Sequence, residues 1–156
     1  MSNPDFSLLD SALSPQRVFL TQASSKEELL QTVLDKLTDC EDVGDLESLR
    51  AAILARESLM STGIGLGIGV PHARISSVQN MILAVAVNHV PLEDYESIDG
   101  KPVQIVFLVA GRPDQQSTYV QLLAVLSHLV KDESRRTALL EADTPSAIYK
   151  ALRATP

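Results

Sequence analysis

The sequence predicts an α+β fold in which a mixed β-sheet of four to five strands lies between layers of helices. Residues 81–87 and 103–110 are continuous apolar runs rich in valine, isoleucine and leucine, a composition typical of central strands buried on both faces. Segments with apolar residues at helical spacing lie before and after the two apolar runs. Helices formed by these segments would pack on the sheet and cover both of its faces. The 156 residues contain no repeat or linker, so we expect residues 6–154 to form a single domain.

The first third of the chain predicts one short strand and one helix. Residues 18–20 are apolar and predict the strand. Ser25 and Glu28 have the spacing of a capping box, in which the serine caps the helix and Glu28 reaches back to the backbone N–H of Ser25. Leucine and valine residues follow at helical spacing, so we expect this helix to extend to about Cys40.

A second helix is predicted between Asp45, which can act as its N-cap, and about Ser58. Leu49 and Ile53 fall on one face of this helix, and the same face carries Arg56. An arginine at the end of an otherwise apolar helix face is a candidate site residue.

Residues 61–71 have the most unusual pattern in the chain. Glycine occupies positions 63, 65, 67 and 69 and alternates with Ile64, Leu66, Ile68 and Val70. A period of two predicts an extended segment with one apolar face and one face without side chains. The segment ends at Pro71, which restricts φ, and His72 follows directly. A histidine held by this stiff lead-in, beside exposed backbone amides, is well placed for chemistry on an anion.

The C-terminal part of the chain predicts three helices. Residues 99–102, with the sequence Asp-Gly-Lys-Pro, predict a turn between the two central strands. A long helix is predicted after Pro113. Its core-facing residues are Tyr119, Leu122, Leu123, Leu126 and Val130. Residues 133–142 predict a further helix, and Thr144 followed by proline predicts the start of the last helix, which ends near Arg153.

Composition and charge argue against several classes of function. The net charge is -7 and the sequence pI is about 4.8, and no run of lysine and arginine provides the basic face of a nucleic-acid-binding protein. No apolar stretch approaches the roughly 20 residues of a membrane-spanning helix, and the N-terminus lacks the features of a secretory signal. We therefore expect a cytoplasmic protein without membrane insertion. Because Cys40 is the only cysteine, we expect no internal disulfide. No second cysteine or nearby histidine gives it the spacing of metal ligands, and we expect no metal and no cofactor.

His72 is a candidate nucleophile for phosphoryl transfer. A neutral imidazole has a nitrogen lone pair that can attack phosphorus, and the resulting N–P bond is labile enough for the group to move on. Arginine suits the phosphoryl oxygens because its planar guanidinium matches them, and Arg56 and Arg74 are the candidates. The hydroxyl of Thr62 can bond a phosphoryl oxygen or orient the imidazole ring.

These residues also have simpler interpretations. His72 can be a surface-loop histidine, and Thr62 can make a local turn hydrogen bond. Arg56 can form a salt bridge with Glu57 or Glu28. A metal site or a hydrolase is disfavoured, because no ligand spacing and no Ser-His-Asp pattern includes the histidine. The glycines do not form a nucleotide-binding loop, since neither G-x-G-x-x-G nor Gly-Lys-Ser/Thr is present.

The segment from Arg56 to Arg74 resembles the active-site segment of a known family. It contains Arg-Glu-Ser-Leu-Met-Ser-Thr-Gly-Ile-Gly followed, after one leucine, by Gly-Ile-Gly-Val-Pro-His-Ala-Arg. This segment is similar to that of enzyme IIA domains of the fructose/mannitol class, which belong to the bacterial phosphoenolpyruvate-dependent sugar phosphotransferase system. Residues 25–28, 99–103 and 121–126 also resemble family segments, so the resemblance covers most of residues 6–152 in order.

The resemblance implies a mixed sheet between helical layers and a protein-histidine phosphotransferase component. The residues implied at the phosphate site are His72, Arg56, Thr62, Gly63, Arg74 and Tyr119. His72 is the implied phosphoryl acceptor. The implied donor is the histidine phosphocarrier HPr or its nitrogen-branch paralogue, and the next partner is a IIB domain or a regulated protein. A free-standing chain of this length is most similar to the nitrogen-regulatory IIA type.

Tyr119 is the main departure from the family pattern. Family members commonly have a second histidine here, which is thought to stabilise the phosphorylated state, whereas tyrosine donates one hydrogen bond and is neutral near pH 7. His128 does not replace it, because it lies nine residues on and on the opposite helix face. His89 has no matching role. Smaller departures are Gly69, where alanine is common, and Leu66, where a polar residue is common.

Two functions therefore remain open at the level of the sequence. The first is a phosphocarrier that transfers phosphoryl groups in sugar transport or nitrogen regulation. The second is a non-catalytic regulatory module of the same fold, which binds a partner and has lost efficient phosphotransfer because Tyr119 replaces the second histidine.

Overall fold

The computed structural model describes residues 6–154, which contain six α-helices and six strands. The helices are α1 (Ser7–Ala12), α2 (Lys26–Asp35), α3 (Leu46–Leu59), α4 (Gln116–Val130), α5 (Glu133–Glu141) and α6 (Pro145–Arg153). The strands are β1 (Val18–Thr21), β2 (Gly63–Gly65), β3 (Ile68–Gly69), β4 (His72–Arg74), β5 (Ile82–Leu92) and β6 (Val103–Gly111). The predicted α+β class is confirmed, although the sheet has six strands rather than four to five.

The sheet is mixed and has β5 and β6 at its centre. The strand order is β1-β5-β6-β3-β2, and β4 also pairs with β6. β5 and β6 are antiparallel, β1 is parallel to β5, and β3 and β4 are parallel to β6. β3 pairs with Ile105 and Val106, whereas β4 pairs with residues 109–111. His72 therefore lies beside the C-terminal part of β6, opposite Val109.

Alternate residues of the central strands face two different helical layers. On β6, Phe107 and Val109 pack in one core with side chains of α1, α4, α5 and α6. Val106 and Leu108 pack in a second core with side chains of α2 and α3. Because both faces of the sheet are covered, the central strands are continuously apolar instead of alternating with polar residues. None of the helices among residues 6–154 is both long and apolar enough to cross a bilayer.

The N-terminus of α2 forms at the predicted cap but with a different return contact. The Ser25 hydroxyl accepts a hydrogen bond of 3.1 Å from the backbone N–H of Glu28. The Glu28 carboxylate accepts bonds from the backbone N–H (2.9 Å) and the hydroxyl (2.8 Å) of Ser24. The predicted bond to the N–H of Ser25 is therefore wrong. The Glu28 carboxylate bonds to Ser24, the residue before Ser25, instead of to Ser25 itself.

α2 also ends earlier than predicted, at Asp35 instead of near Cys40. The next residues form tight turns, in which the N–H of Leu37 bonds to the carbonyl of Leu34 and the N–H of Cys40 bonds to the carbonyl of Leu37. The Thr38 hydroxyl donates to the Asp35 carbonyl at 2.6 Å. Because a side chain takes up this carbonyl, the backbone leaves the α-helical bonding pattern here.

α1 was not predicted from the sequence, since it is short and has no start signal. Its N-cap residue, Phe6, makes no capping hydrogen bond through its side chain. Leu9 and Ala12 are buried in the core that includes α4. A helix of six residues is unstable in isolation, so tertiary packing and not local propensity forms α1.

The glycine-rich segment is a hairpin and not one extended strand. β2 and β3 are antiparallel, and the chain reverses where Gly65, Leu66 and Gly67 have φ values of 94°, 60° and 78°. Glycine adopts these left-handed conformations without steric cost, whereas leucine rarely does. The backbone N–H of Leu66 donates to the Asp99 carboxylate at 2.9 Å, which holds the reversal in place.

The four apolar residues that alternate with the glycines do not share one face in this hairpin. Ile68 and Val70 are buried in the core, as the alternating pattern predicts. Ile64 and Leu66, however, are 38% and 46% exposed. On the first strand Gly63 and Gly65 are the buried residues, so Ile64 between them is on the exposed face. The prediction of a single apolar face along residues 61–71 is therefore wrong.

An aromatic ring occupies the space beside Gly69. A Cβ atom at this position would lie 2.6 Å from Cζ and 2.7 Å from the hydroxyl oxygen of Tyr95. The Tyr95 side chain is itself fully buried, so the ring has no room to move away. Glycine is thus required here by the packing of Tyr95.

We expect Gly69→Ala to lower the free energy of unfolding by about 1–3 kcal/mol, the usual cost of an overpacked site. Urea denaturation measures this change. In a Tyr95→Leu background the ring is absent, and the same glycine substitution should then cost much less. An equal cost in both backgrounds would show that the ring is not the cause.

Candidate functional site

A cavity of about 390 Å³ lies where α3, β4 and the start of α4 meet. Its lining residues are Ala52, Arg56, His72, Ala73, Arg74, Pro113 and Tyr119. The structure thus brings together four of the predicted site residues from three separate parts of the chain. The other two, Thr62 and Gly63, are not among the described residues that line this cavity.

His72 is held in a single tautomer by its own strand. Its Nδ1 lies 2.6 Å from the carbonyl oxygen of Val70. A carbonyl oxygen only accepts hydrogen bonds, so Nδ1 carries a proton, and in the neutral imidazole the lone pair is then on Nε2. Nε2 makes no hydrogen bond with any residue in the described part of the chain, and the side chain is half-buried at the cavity. In its neutral form the ring therefore has its lone pair on the nitrogen that no described residue bonds.

The neighbouring main chain fixes the position of this histidine. β4 pairs with β6 in register, with His72 opposite Val109. The backbone N–H of Val109 donates to the carbonyl of Pro71 at 3.0 Å, and that of Val70 donates to the carbonyl of Thr62 at 3.0 Å. The histidine is thus on a bonded strand and is not a free surface-loop residue.

Tyr119 packs against the imidazole in the same cavity. The two ring centroids are 5.5 Å apart and the rings are inclined by 64°, an edge-to-face arrangement. The Arg74 guanidinium carbon lies 5.5 Å from the centroid of the tyrosine ring. Burial raises the pKa of Tyr119 more than the nearby guanidinium groups of Arg74 and Arg56 lower it. The phenol is therefore a neutral hydrogen-bond donor at physiological pH.

Each of the two arginines is anchored by one backbone carbonyl. Nη1 of Arg56 donates to the carbonyl of Met60 at 3.0 Å, and Nη1 of Arg74 donates to that of Pro113 at 3.3 Å. A guanidinium has five N–H donors, so both groups keep donors for an anion. The described lining contains no carboxylate, so the cavity is cationic.

The salt-bridge alternatives for Arg56 are not found. Glu57 pairs with Lys26, whose Nζ lies 2.7 Å from Oε2, and Glu28 bonds to Ser24. Within residues 6–154, no carboxylate lies at ion-pair distance from Arg56. Its charge is therefore available at the cavity.

Thr62 and Gly63 are buried and do not line the cavity. The Thr62 hydroxyl donates to the Glu57 carboxylate and lies 2.7 Å from the hydroxyl of Tyr95, and the residue is 6% exposed. Glu57 is five residues away on α3 and Tyr95 is 33 residues away, so the hydroxyl links separate elements instead of closing a turn within its own loop. Gly63 pairs with β3, and a Cβ at this residue would lie 2.2 Å from the carbonyl oxygen of Glu96.

Sequence reasoning missed three cavity residues, namely Ala52, Ala73 and Pro113. Ala52 lies one helical turn before Arg56, where a small side chain leaves the cavity open. The spacing of these two residues on one helix face was the available signal. Pro113 contributes its carbonyl to Arg74, and no local pattern indicates that contact.

The chain matches the family model "Phosphoenolpyruvate-dependent sugar phosphotransferase system, EIIA 2" over residues 11–155. It belongs to this family. The match spans almost all of the EIIA chain, including every residue of the cavity. The resemblance seen between Arg56 and Arg74 is thereby confirmed.

Individual relatives agree with this membership. The fructose-specific EIIABC component of Bacillus subtilis is 37% identical over 127 residues, which are 81% of this chain but only 20% of that protein. The chain thus spans about a fifth of that relative. The fructose-specific EIIA component of Haloferax volcanii is 30% identical over 83% of each chain. The nitrogen regulatory protein IIA-Ntr of Neisseria meningitidis has a TM-score of 0.80 and 25% identity, covering 93% of this chain and 99% of that chain.

We expect the stability of this EIIA chain to fall at alkaline pH because of two buried tyrosines. Burial raises the pKa of Tyr95, as does the Glu57 carboxylate, and burial also raises the pKa of Tyr119. Above the ordinary tyrosine pKa of about 10, tyrosines in the unfolded state lose their protons while these two in the folded state keep theirs. The free energy of unfolding is therefore at its full value below this pH and falls as the pH rises above it.

Urea unfolding between about pH 8 and pH 11 measures this decline. Tyr119→Phe and Tyr95→Phe should each make the decline shallower, and the double variant should make it shallower still. A decline as steep in the double variant as in the original chain would assign it to other groups.

Proposed function

We propose that this EIIA chain is a cytoplasmic phosphocarrier in which residues 6–154 act as one domain and His72 accepts a phosphoryl group on Nε2. The observation that carries the proposal is the hydrogen bond from Nδ1 to the Val70 carbonyl, which makes Nε2 the lone-pair nitrogen of the neutral ring at a cavity that contains two guanidinium groups. Membership of the EIIA family supports the same chemistry.

The donor in this proposal is a phosphohistidine protein, HPr or its nitrogen-branch paralogue. The Nε2 lone pair of His72 forms a new N–P bond as the bond between phosphorus and the donor imidazole breaks. The donor imidazole leaves with that electron pair. The imidazole of His72 becomes cationic while Nδ1 keeps its proton, and the Val70 carbonyl then accepts a stronger, charge-assisted hydrogen bond.

Arg56 and Arg74 stabilise the transferring group in this mechanism. The phosphoryl oxygens carry the negative charge of the transition state, and positioned cations near them supply most of the catalysis in such transfers. Both guanidinium groups are oriented in advance by backbone carbonyls, so little reorganisation is needed when the phosphoryl group arrives.

Tyr119 favours a second candidate function, a regulatory module with impaired transfer. In place of an imidazole that can become charged, the cavity has a phenol that donates one hydrogen bond and stays neutral. The phosphorylated state of His72 then depends on the two arginines for charge. A protein that only has to report its phosphorylation state tolerates a slower transfer.

The next partner in the proposal is a IIB domain or a regulated protein. The names of the relatives point to both routes, since one is a fructose-specific component and another is a nitrogen regulatory protein. The net charge of -7 suits a partner with a basic surface around its own site.

Phosphorylation of His72 is tested with phosphoenolpyruvate, enzyme I and HPr by intact-mass measurement. We expect an acid-labile mass gain of one phosphoryl group, because an N–P bond hydrolyses in acid. His72→Ala should abolish the gain, whereas His128→Ala and His89→Ala should retain it. No gain, with partners shown to be active on another EIIA protein, would contradict the phosphocarrier and leave the regulatory module.

The role of Tyr119 is tested by two substitutions with opposite expected effects. Tyr119→His should speed phosphorylation or lengthen the half-life of the phosphorylated form, because imidazole can add charge. Tyr119→Phe should slow phosphorylation by up to about tenfold, the effect of one hydrogen bond. The rate of mass gain and the decay of the phosphorylated form measure both. If neither variant changes either quantity, residue 119 does not contact the phosphoryl group.

A further inference from the structure

A buried ion pair lies next to the proposed site in the sequence, and neither of its members lines the cavity. Nζ of Lys26 lies 2.7 Å from Oε2 of Glu57, and the two side chains are 18% and 5% exposed. The Thr62 backbone N–H donates to Oε2 at 3.3 Å, and the Thr62 hydroxyl donates to Oε1. The Tyr95 hydroxyl lies 3.3 Å from Oε1. The carboxylate thus has four donors.

This network joins four separate segments of the chain. Lys26 begins α2, and its ammonium also donates to the Ser61 hydroxyl at 3.3 Å and lies 4.4 Å from the ring centroid of Tyr95. The Ser61 hydroxyl in turn donates to the carbonyl of Glu96 at 2.6 Å. A buried carboxylate is unfavourable unless it is paired and hydrogen-bonded, so these contacts hold Glu57 in one place.

Holding Glu57 also sets the direction of Arg56. Successive residues on an α-helix point about 100° apart, so fixing Glu57 towards the interior turns Arg56 towards the cavity. The carbonyl that anchors Arg56 belongs to Met60, which directly precedes the segment that the network holds. The network therefore governs both the rotation of the end of α3 and the position of this anchor.

We infer that Glu57 is a positioning residue for phosphoryl transfer that acts through Arg56. Thr62 belongs to the same network, because its backbone N–H and its hydroxyl both donate to the Glu57 carboxylate. Its side chain does not line the cavity. This inference rests on the proposed function of His72. According to this inference, Glu57 and Thr62 affect the transfer only by holding the guanidinium of Arg56 in place.

The test is a double-mutant cycle on the rate of phosphoryl transfer to His72. The rate constant at saturating HPr and the KM for HPr are measured for the original chain, Glu57→Gln, Arg56→Ala and the double variant. We expect Glu57→Gln to lower the rate constant about tenfold with little change in KM, as for a misplaced catalytic group. In the Arg56→Ala background the same substitution should have no further effect.

Thr62→Val is the second variant, because it keeps the shape of the side chain and removes one donor of the Glu57 carboxylate while leaving the ion pair with Lys26 in place. It should slow the transfer when Arg56 is present and have no effect in the Arg56→Ala background. Leu139→Ala is the matched control. Leu139 is fully buried on α5, so this variant should lower stability without changing the rate constant.

Distinct results would overturn each part of the inference. An unchanged rate constant in Glu57→Gln, or a tenfold loss that persists without Arg56, would show that Glu57 does not act through Arg56. A loss that persists in Thr62→Val without Arg56 would make Thr62 a direct phosphate contact. Failure of the original chain to accept a phosphoryl group overturns the proposed function itself, and it is seen before any variant is compared.

Discussion

The hydrogen bond between Nδ1 of His72 and the Val70 carbonyl is the contact on which the site depends. It places a proton on Nδ1, so that in the neutral imidazole the lone pair is on Nε2. The bond exists because residues 70–72 are held against β6, where Val109 donates to the Pro71 carbonyl. The sheet therefore determines the tautomer of the imidazole as well as its position. The opposite tautomer would carry its proton on Nε2.

The charge of the cavity is opposite to that of the whole chain. The protein carries a net charge of -7, yet the described cavity lining has two guanidinium groups and no carboxylate. The carboxylate nearest in sequence, Glu57, is turned inward and paired with Lys26, so it does not cancel the charge of Arg56. With a neutral phenol at Tyr119, these two arginines are the cationic groups in the described lining of the cavity, and the proposed transfer relies on them for charge.

Elements with strong local patterns were predicted well, and elements formed by distant contacts were not. The central strands and the helices after Asp45 and Thr144 follow from apolar periodicity and caps. α1 has no cap signal and forms by packing against α4. The alternation of glycines with apolar residues predicted a continuous strand, but Asp99, far along the chain, bonds the reversal at Leu66. Such partners cannot be read from spacing within a segment.

The sequence by itself determined which groups are available for the chemistry, namely an imidazole at position 72 and arginines at positions 56 and 74, within a segment that identifies the family. Only the tertiary structure decided how they are used. It placed both arginines and Tyr119 around one imidazole, and it placed Thr62 in a buried network with Glu57 and Tyr95. The physical reason is that hydrogen bonds and ring contacts depend on distances in space, and only folding brings Arg56 and Tyr119 to His72, and Tyr95 to Thr62, from separate segments of the chain.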